Sequence, residues 1–240
     1  MMPRVLLFDV FGTVVDWRGT VSREATAFLE QHGASRIDGA AFADAWRARY
    51  APSMATVRRG ERAFVRLDVL HRENLLATLP EFGLSAASIA AADIDAFNRV
   101  WHRLAPWPDA VAGLARLREA HIVAPLSNGN IALLIDLSRQ AGLQWDAILG
   151  AEVVRAYKPA PEAYLRTVEL LCLRPDEVCL VAAHNDDLAA ARGCGLRTAF
   201  VSRPTEHGPG QTRDLVASGD WDWVAGDFLQ LADRLANTMT

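Results

Sequence analysis

The sequence predicts an α/β protein, in which a doubly wound, Rossmann-like parallel sheet carries an all-helical cap domain inserted after the first strand. Two nearly continuous apolar runs, at residues 5–8 and 178–183, are typical of strands that are buried on both faces of a sheet. From about residue 100 onward, strand-like and helix-like segments alternate, as they do in repeated βα units. Residues 17–98 differ, because they lack clear strands and are rich in Ala, Arg, Glu and Leu at helical spacing.

The same patterns predict the order of the elements. Gly142 suits the position just after a helix end, and Pro161 suits the first turn of the next long helix. The predicted elements are, in order, a strand at 5–8, a helix at 108–120, a strand at 121–126, a helix at 131–140, a short strand at 147–150, a helix at 161–171, a strand at 178–183, a helix at 188–194 and a strand at 198–201.

The change in composition along the chain predicts two domains. We expect residues 1–16 and 99–240 to form the α/β core domain and residues 17–98 to form the helical cap domain. A Pro-rich patch at 105–108 lies where the chain has returned to the core. Residues 203–210, which are rich in Pro and Gly, are predicted to be a loop of unassigned function.

Composition limits the classes of partner. With 51% hydrophobic and 22% charged residues and a net charge of −4, the chain resembles an ordinary globular enzyme and offers no basic surface for nucleic acid or an anionic membrane. No apolar run approaches the ~20 residues that span a bilayer, and no signal peptide precedes the first strand, so we expect a cytoplasmic protein. The odd set of Cys172, Cys179 and Cys194, without a CxxC pair, predicts neither a disulfide nor a zinc site, and we expect all three to fill the core.

The most informative stretch is residues 8–13, where an apolar strand ends at Asp9 and a glycine-containing turn follows. Such a carboxylate is a nucleophile, a metal ligand, or a cap for the turn. A phosphatase of this design would carry a second Asp two residues later as its general acid, where this chain has Phe11. Because the ring cannot donate a proton, it favours a leaving group that departs as a stable anion, such as halide. Thr13 either braces the turn or acts directly.

Other predicted strand ends also carry polar residues, and parallel strands bring their carboxyl ends to one edge of a sheet. Ser127 and Asn128 start a helix, where they form either an anion site or a simple N-cap. Lys158 would keep Asp9 ionised and attract an anionic substrate, unless it is a surface lysine. Tyr164 either orients the site through its hydroxyl or belongs to the core. A His/Asp cluster at 184–187 follows the strand at 178–183.

Together these motifs resemble the haloacid dehalogenase (HAD) superfamily and, within it, the L-2-haloacid dehalogenases (type II). The resemblance covers essentially the whole chain and implies a HAD-type core. The motifs that carry it are Phe-Asp-Val-Phe-Gly-Thr at 8–13, Trp46 with Arg47 in the predicted cap, Ser-Asn-Gly at 127–129, and Tyr-Lys-Pro at 157–159 with Tyr164.

The resemblance implies a hydrolase that removes halide from short (S)-2-haloalkanoic acids or haloacetates to give 2-hydroxy acids. Asp9 would attack C2 and expel halide with inversion, and water would then hydrolyse the ester at the Asp carbonyl carbon, with no metal and no cofactor. Ser127 and Lys158 would lie at the substrate carboxylate, whereas Arg47 and Asn128 would receive the halide. The expected catalytic residues are Asp9, Thr13, Lys158, His184 and Asp187, and the expected substrate-binding residues are Val10, Phe11, Trp46, Arg47, Ser127, Asn128, Tyr164 and Asn185.

The chain departs from the family pattern after the strand at 178–183. The family has Ser, then Asn two residues on, then an aromatic residue and Asp; this chain has Ala182, His184, Asp186 and Asp187 at those positions. Asp187 therefore matches the family acid that positions or activates the hydrolytic water. His184 is either a general base, since histidine titrates near neutral pH, or a neutral hydrogen-bonding replacement for the amide.

Two other functions fit parts of the sequence. A Mg²⁺-dependent HAD-type phosphatase of a small phosphomonoester could use Asp186 and Asp187 as metal ligands, but Phe11 opposes it. A non-catalytic binding protein could use the same fold, although it would not need Asp9 and Lys158 together. The preferred prediction is the dehalogenase, whose partners are a small 2-haloacid and halide. The apolar faces of the predicted cap and the resemblance also suggest a homodimer.

Overall fold

A parallel sheet of six strands forms the centre of the computed structural model, which describes residues 2–237. The strands are β1 (Val5–Phe8), β2 (Val15–Asp16), β3 (Ala105–Pro106), β4 (Ile122–Ser127), β5 (Leu149–Gly150), β6 (Val178–Ala182), β7 (Arg197–Val201) and β8 (Trp223–Ala225). The sheet has the order β5-β4-β1-β6-β7-β8, and every pairing in it is parallel. β2 and β3 form a separate antiparallel pair.

β1 lies between β4 and β6, so that both of its edges are hydrogen-bonded, and an apolar cluster covers each of its faces. Leu6 and Phe8 pack in one apolar cluster, while Val5 and Leu7 pack in the other. All four side chains are fully buried. This double burial explains why the strand is continuously apolar rather than alternating, and it delivers Asp9 to the carboxyl edge at the middle of the sheet.

Five α-helices lie between β2 and β3. They are α1 (Trp17–Gln31), α2 (Gly39–Ala48), α3 (Tyr50–Arg58), α4 (Leu67–Thr78) and α5 (Ala91–Asn98). Aromatic side chains join them: Phe28 stacks on Phe97 with 4.4 Å between ring centroids, and the indole Nε1 of Trp46 donates to the backbone oxygen of His71 at 2.9 Å. These helices occupy the range predicted for the cap, while the domain boundaries themselves stay a prediction.

The remaining helices cover both faces of the sheet. They are α6 (Ala110–Arg118), α7 (Ile131–Ala141), α8 (Ala151–Val154), α9 (Pro161–Leu170), α10 (Asn185–Gly193) and α11 (Phe228–Asn237). Buried side chains of α6, α7 and α11 belong to the cluster that contains Phe8, whereas those of α9 and α10 belong to the cluster that contains Leu7. The predicted doubly wound fold is confirmed.

Several local predictions are also confirmed. α7 ends at Gly142 in the left-handed conformation, and α9 has Pro161 in its first turn. α10 begins at Asn185, three residues before the predicted start, because the two aspartates after it suit the positive end of a helix. The sequence analysis did not predict β2, β3, β8 or α11, which are short or lie beyond the last predicted strand.

The cysteines match the prediction only in part. All three are free thiols, but only Cys179 is buried; Cys172 is exposed and Cys194 is partly exposed. The prediction that all three fill the core is therefore wrong, because Cys172 and Cys194 follow the last turns of surface helices. Among residues 2–237, no helix is both long enough and apolar enough to cross a membrane.

Candidate active site

The predicted strand ends meet at one edge of the sheet. Asp9 directly follows β1, Ser127 ends β4, and His184 lies two residues beyond β6. Lys158, in the turn before α9, reaches the same place, where its Nζ lies 3.0 Å from Asp9 Oδ1. The chain reverses its winding direction at β1, so these groups occupy the crevice in which open α/β sheets bind ligands.

Asp9 is a buried carboxylate held by three donors. Lys158 Nζ contacts Oδ1, while Thr13 Oγ1 donates to Oδ2 at 2.7 Å and His184 Nδ1 lies 3.2 Å from the same oxygen. Burial alone would raise the pKa of Asp9, but the positive charges of Lys158 and His184 and the Thr13 hydrogen bond lower it well below its usual range. Asp9 is therefore ionised at any physiological pH, as a nucleophile must be.

Lys158 lies between two carboxylates. Its Nζ contacts both Asp9 and Asp187, and Tyr164 donates its hydroxyl proton to Asp187 Oδ1 at 2.5 Å. Burial opposes the charge on the ammonium, but Asp187 and Asp9 together raise the pKa of Lys158 above its ordinary value. The Lys158 backbone N–H also donates to Asn128 Oδ1 at 2.8 Å, which ties this turn to the end of β4. The ammonium is thus a fixed, permanent charge beside the nucleophile.

His184 connects Asp9 to Glu206, a residue that the sequence analysis did not select. His184 Nε2 lies 2.8 Å from Glu206 Oε2, on the opposite side of the ring from Asp9. Burial disfavours the imidazolium, but the charges of Glu206 and Asp9 raise the pKa of His184 well above 6.5. Burial would raise the pKa of Glu206, but the charge of His184 lowers it. In the free protein these groups form a buried carboxylate–imidazolium–carboxylate chain.

Glu206 reaches the site because the loop at 203–210 follows β7 and is held in place by Arg203. Arg203 donates to the backbone oxygen of Thr13 at 2.9 Å and forms a two-point ion pair with Asp109, at 2.8 and 2.9 Å. Gly12 adopts a φ of +90°, and a Cβ there would lie only 2.1 Å from Glu206 Oε1. The strand at 198–201 was predicted, so the strand-end argument could have extended to this loop and its single carboxylate.

Arg47 lies among aromatic rings on the side of the site that α2 and α3 provide. The centre of its guanidinium is 3.9 Å from the ring centroid of Tyr50, 5.1 Å from that of Trp17 and 5.9 Å from those of Phe11 and Trp101. Its Nη1 is buried and has no hydrogen-bond partner among the residues that the structure describes. A buried cationic N–H without an acceptor is a place for an anion.

A cavity of about 280 Å³ joins these groups, and Asp9, Phe11, Arg47, Asn128, Lys158 and His184 are among the residues that line it. Its size suits a short organic acid. An adjoining cavity of about 570 Å³ is lined by Glu206 and His207 and shares Arg47, Tyr50 and His184 with the first. Tyr50, which the sequence analysis did not select, therefore faces both cavities.

Some predicted substrate-binding residues do not line the smaller cavity. The Val10 side chain is fully buried in the core, and Trp46 is buried among the cap helices. Ser127 accepts from the backbone N–H of Gly129 at 3.0 Å, and Tyr164 contacts the site only through Asp187. Residue type alone did not distinguish the side chains that line the cavity from those that are buried behind it.

Asn185 is a clearer correction. Its side chain donates to Asp214 and to the backbone oxygen of Val216, and it accepts from Ser218 and Trp221. These four hydrogen bonds use the whole amide to hold the segment that follows the 203–210 loop. The prediction that Asn185 binds substrate is therefore wrong, since no part of the amide is left for a ligand.

The positive charge of Lys158 opposes a divalent cation between the two aspartates. Lys158 Nζ already contacts both Asp9 and Asp187, and a metal there would face that ammonium directly. The ring atoms and carboxylates of His184, Glu206 and His207 lie within 4.8 Å of one another, which is close enough for metal ligands. However, His184 also faces Asp9, and Arg47 lines the cavity beside the cluster. The donor set is therefore better matched to an internal proton relay than to a metal.

Comparison with known proteins defines the class. The sequence model of the haloacid dehalogenase-like hydrolases matches residues 3–195, and the chain belongs to this family. Within the family, it is 50% identical to the defluorinating L-2-haloacid dehalogenase Rha0230, whose crystal structure superposes with a TM-score of 0.95 over 98% of this chain and 95% of that one. The resemblance noted in the sequence is thereby confirmed.

Two further relatives are more distant. The chain is 30% identical to (S)-2-haloacid dehalogenase 4A of Burkholderia cepacia over 83% of each chain. It is 25% identical to the L-2-haloacid dehalogenase of Xanthobacter autotrophicus, with a TM-score of 0.80 over all of both chains; that structure contains covalently bound chloropropionic acid.

Proposed function

We propose that this protein is a hydrolytic dehalogenase that removes halide from short (S)-2-haloalkanoic acids or haloacetates through an ester on Asp9. The observation that carries the proposal is a buried, ionised Asp9 beside Phe11, in a cavity that also holds an unpartnered Arg47 N–H. A carboxylate nucleophile needs no proton donor when its leaving group is a stable anion. The relatives named as haloacid dehalogenases support the same chemistry.

In the first step, Asp9 attacks C2 of the substrate, a C–O bond forms, and the C–halide bond breaks with inversion. Lys158 attracts the substrate carboxylate into the cavity. Ser127 accepts a hydrogen bond from Gly129, so its own hydroxyl proton can be donated to the same carboxylate. Halide departs toward Arg47, whose charge stabilises it without proton transfer, with Asn128 alongside. Phe11 and Tyr50 form the apolar wall that excludes water while the ester forms.

In the second step, water attacks the carbonyl carbon of the Asp9 ester and releases the 2-hydroxy acid. Attack at that carbon regenerates the carboxylate, so that the enzyme returns unchanged. Two groups near Asp9 are candidates for activating the water, His184 and Asp187. Neither step requires a metal or a cofactor, and none is proposed. The cytoplasmic location and the homodimer suggested by the sequence stay predictions.

The test measures halide release from chloroacetate and from both enantiomers of 2-chloropropionate in the presence of EDTA. We expect release from chloroacetate and the (S) enantiomer, inversion to the 2-hydroxy acid, and no effect of EDTA. Asp9→Asn is the matched inactive variant, since it keeps the shape of the side chain. Phosphate release from a general phosphomonoester that depends on Mg²⁺, without halide release, would instead establish the phosphatase alternative.

A further inference from the structure

We propose that His184 takes the proton from the water that hydrolyses the Asp9 ester, and that Glu206 is the positioning residue that prepares His184 for this step. The inference rests on the proposed function and deepens it. His184 Nδ1 faces Asp9 Oδ2 at 3.2 Å, and its Nε2 faces Glu206 Oε2 at 2.8 Å. A neutral imidazole that donates Nε2–H to Glu206 keeps its lone pair on Nδ1, the nitrogen that faces the ester.

Both carboxylate oxygens of Asp187 already have partners. One of its oxygens contacts the Lys158 ammonium, and the other accepts the Tyr164 hydroxyl proton at 2.5 Å. These contacts neutralise the carboxylate and fix the position of Lys158. His184 differs, because its contact with Asp9 changes during the reaction: once Asp9 is an ester, the carboxylate that held Nδ1–H has lost its charge.

Glu206 is placed at this position by several independent contacts. Its side chain is 1% exposed, and Trp17 Nε1 donates to Oε1 at 3.0 Å. Gly12, by lacking a Cβ, leaves the space that the carboxylate occupies. Burial of a carboxylate is costly unless it is paired, and here the charged partner is His184. The fold thus holds a buried anion against the far nitrogen of the imidazole.

The protons balance. The overall reaction converts haloacid and water into hydroxy acid, halide and one proton. In the free enzyme the Nδ1–H of His184 faces ionised Asp9. When the ester forms, this proton leaves to solvent, and it is the proton that the overall reaction releases. Neutral Nδ1 then takes a proton from water while the water oxygen bonds to the ester carbon, and the C–O bond to the product breaks. Of the two water protons, one ends on the product hydroxyl and the other on Nδ1, which restores the starting state.

The imidazole of His184 also borders the adjoining cavity of about 570 Å³. Glu206 and His207 line the adjoining cavity together with His184.

The experiment compares Glu206→Gln with the unmodified enzyme in rapid-quench reactions with excess chloroacetate. We expect one chloride per site to appear rapidly in the variant, followed by turnover slowed at least about tenfold, with intact protein carrying one added carboxymethyl group. Loss of the Glu206 charge lowers the pKa of His184, so the acidic limb of ester hydrolysis should move to lower pH by about one unit or more. A merely structural role would not move this limb.

Three further variants make the result decisive. Glu206→Asp restores a carboxylate and should return the acidic limb toward that of the unmodified enzyme, while Thr205→Val changes an exposed side chain of the same loop and should leave ester hydrolysis unchanged. His184→Asn should trap the ester, and it tests the base even if Glu206→Gln does not fold. Ester hydrolysis at the original rate in Glu206→Gln or His184→Asn would overturn the inference. If the unmodified enzyme released no halide, the proposed function itself would fail instead.

Discussion

Replacing Gly12 with alanine should both destabilise the protein and slow hydrolysis of the ester. The residue has a φ of +90°, where a side chain costs about 1 to 2 kcal/mol of backbone strain. The added Cβ would also lie 2.1 Å from Glu206 Oε1, so the carboxylate must move away by at least about 1.3 Å to reach ordinary contact at 3.4 Å. That movement breaks the hydrogen bonds of Glu206 to His184 and Trp17, at 2.8 and 3.0 Å.

The expected magnitude follows from these two contributions. Hydrogen bonds to charged groups contribute about 1.5 to 3 kcal/mol each, and partial re-pairing of the displaced carboxylate leaves an added loss of about 2 to 4 kcal/mol. Gly142→Ala is the matched control, since Gly142 has a φ of +71° and nothing lies within 4 Å of the site of its Cβ. The control should lose only the backbone contribution and retain its kinetics.

The assays are urea unfolding and rapid-quench chloride release. For Gly12→Ala, we expect a larger loss in the free energy of unfolding than for Gly142→Ala, and an Asp9 ester that accumulates during turnover. Equal losses in the two variants, with unchanged ester hydrolysis in Gly12→Ala, would refute the argument that Gly12 exists to admit Glu206.

Three other perturbations have clear expected outcomes. Lys158→Met leaves Asp9 and Asp187 without their shared cation, so urea unfolding should show a loss of about 3 to 5 kcal/mol and chloride release should fall sharply. Arg47→Lys keeps the charge but loses the planar contacts with the rings, and kcat/KM for chloroacetate should fall about a hundredfold, with a smaller fall for bromoacetate because bromide leaves more easily. The pKa of His184 is raised in the folded protein, so its stabilising contribution is complete below about pH 6.5 and is lost as the pH rises through the folded pKa. His184→Asn should therefore flatten the decline in the free energy of unfolding above about pH 6.5. An unchanged decline in this variant would contradict the assignment.

The sequence predicted the framework of the site because strand ends are local signals. Asp9 follows four apolar residues, and the rule that parallel strands share a carboxyl edge predicts that Lys158 and His184 lie near it. Double burial of β1 and β6 made those strands easy to recognise.

The parts that the sequence did not predict depend on tertiary contacts. Glu206 belongs to a Pro- and Gly-rich loop whose path is fixed by Arg203 and Asp109, which lie far apart in the chain. The resemblance implied that Asn185 binds substrate, yet its amide holds the segment that follows the loop. The direction in which the Asn185 side chain points depends on where α10 begins. The predicted start, residue 188, was three residues late.

The most direct test of nucleophilic attack by Asp9 is a single turnover in water labelled with heavy oxygen, with enzyme in excess over (S)-2-chloropropionate. The account predicts that the label enters the Asp9 carboxylate, recovered in the peptide that contains it, while the hydroxy acid carries unlabelled oxygen taken from the enzyme. Label in the product hydroxyl and none in Asp9 would mean that water attacks the substrate directly, and would contradict the ester mechanism.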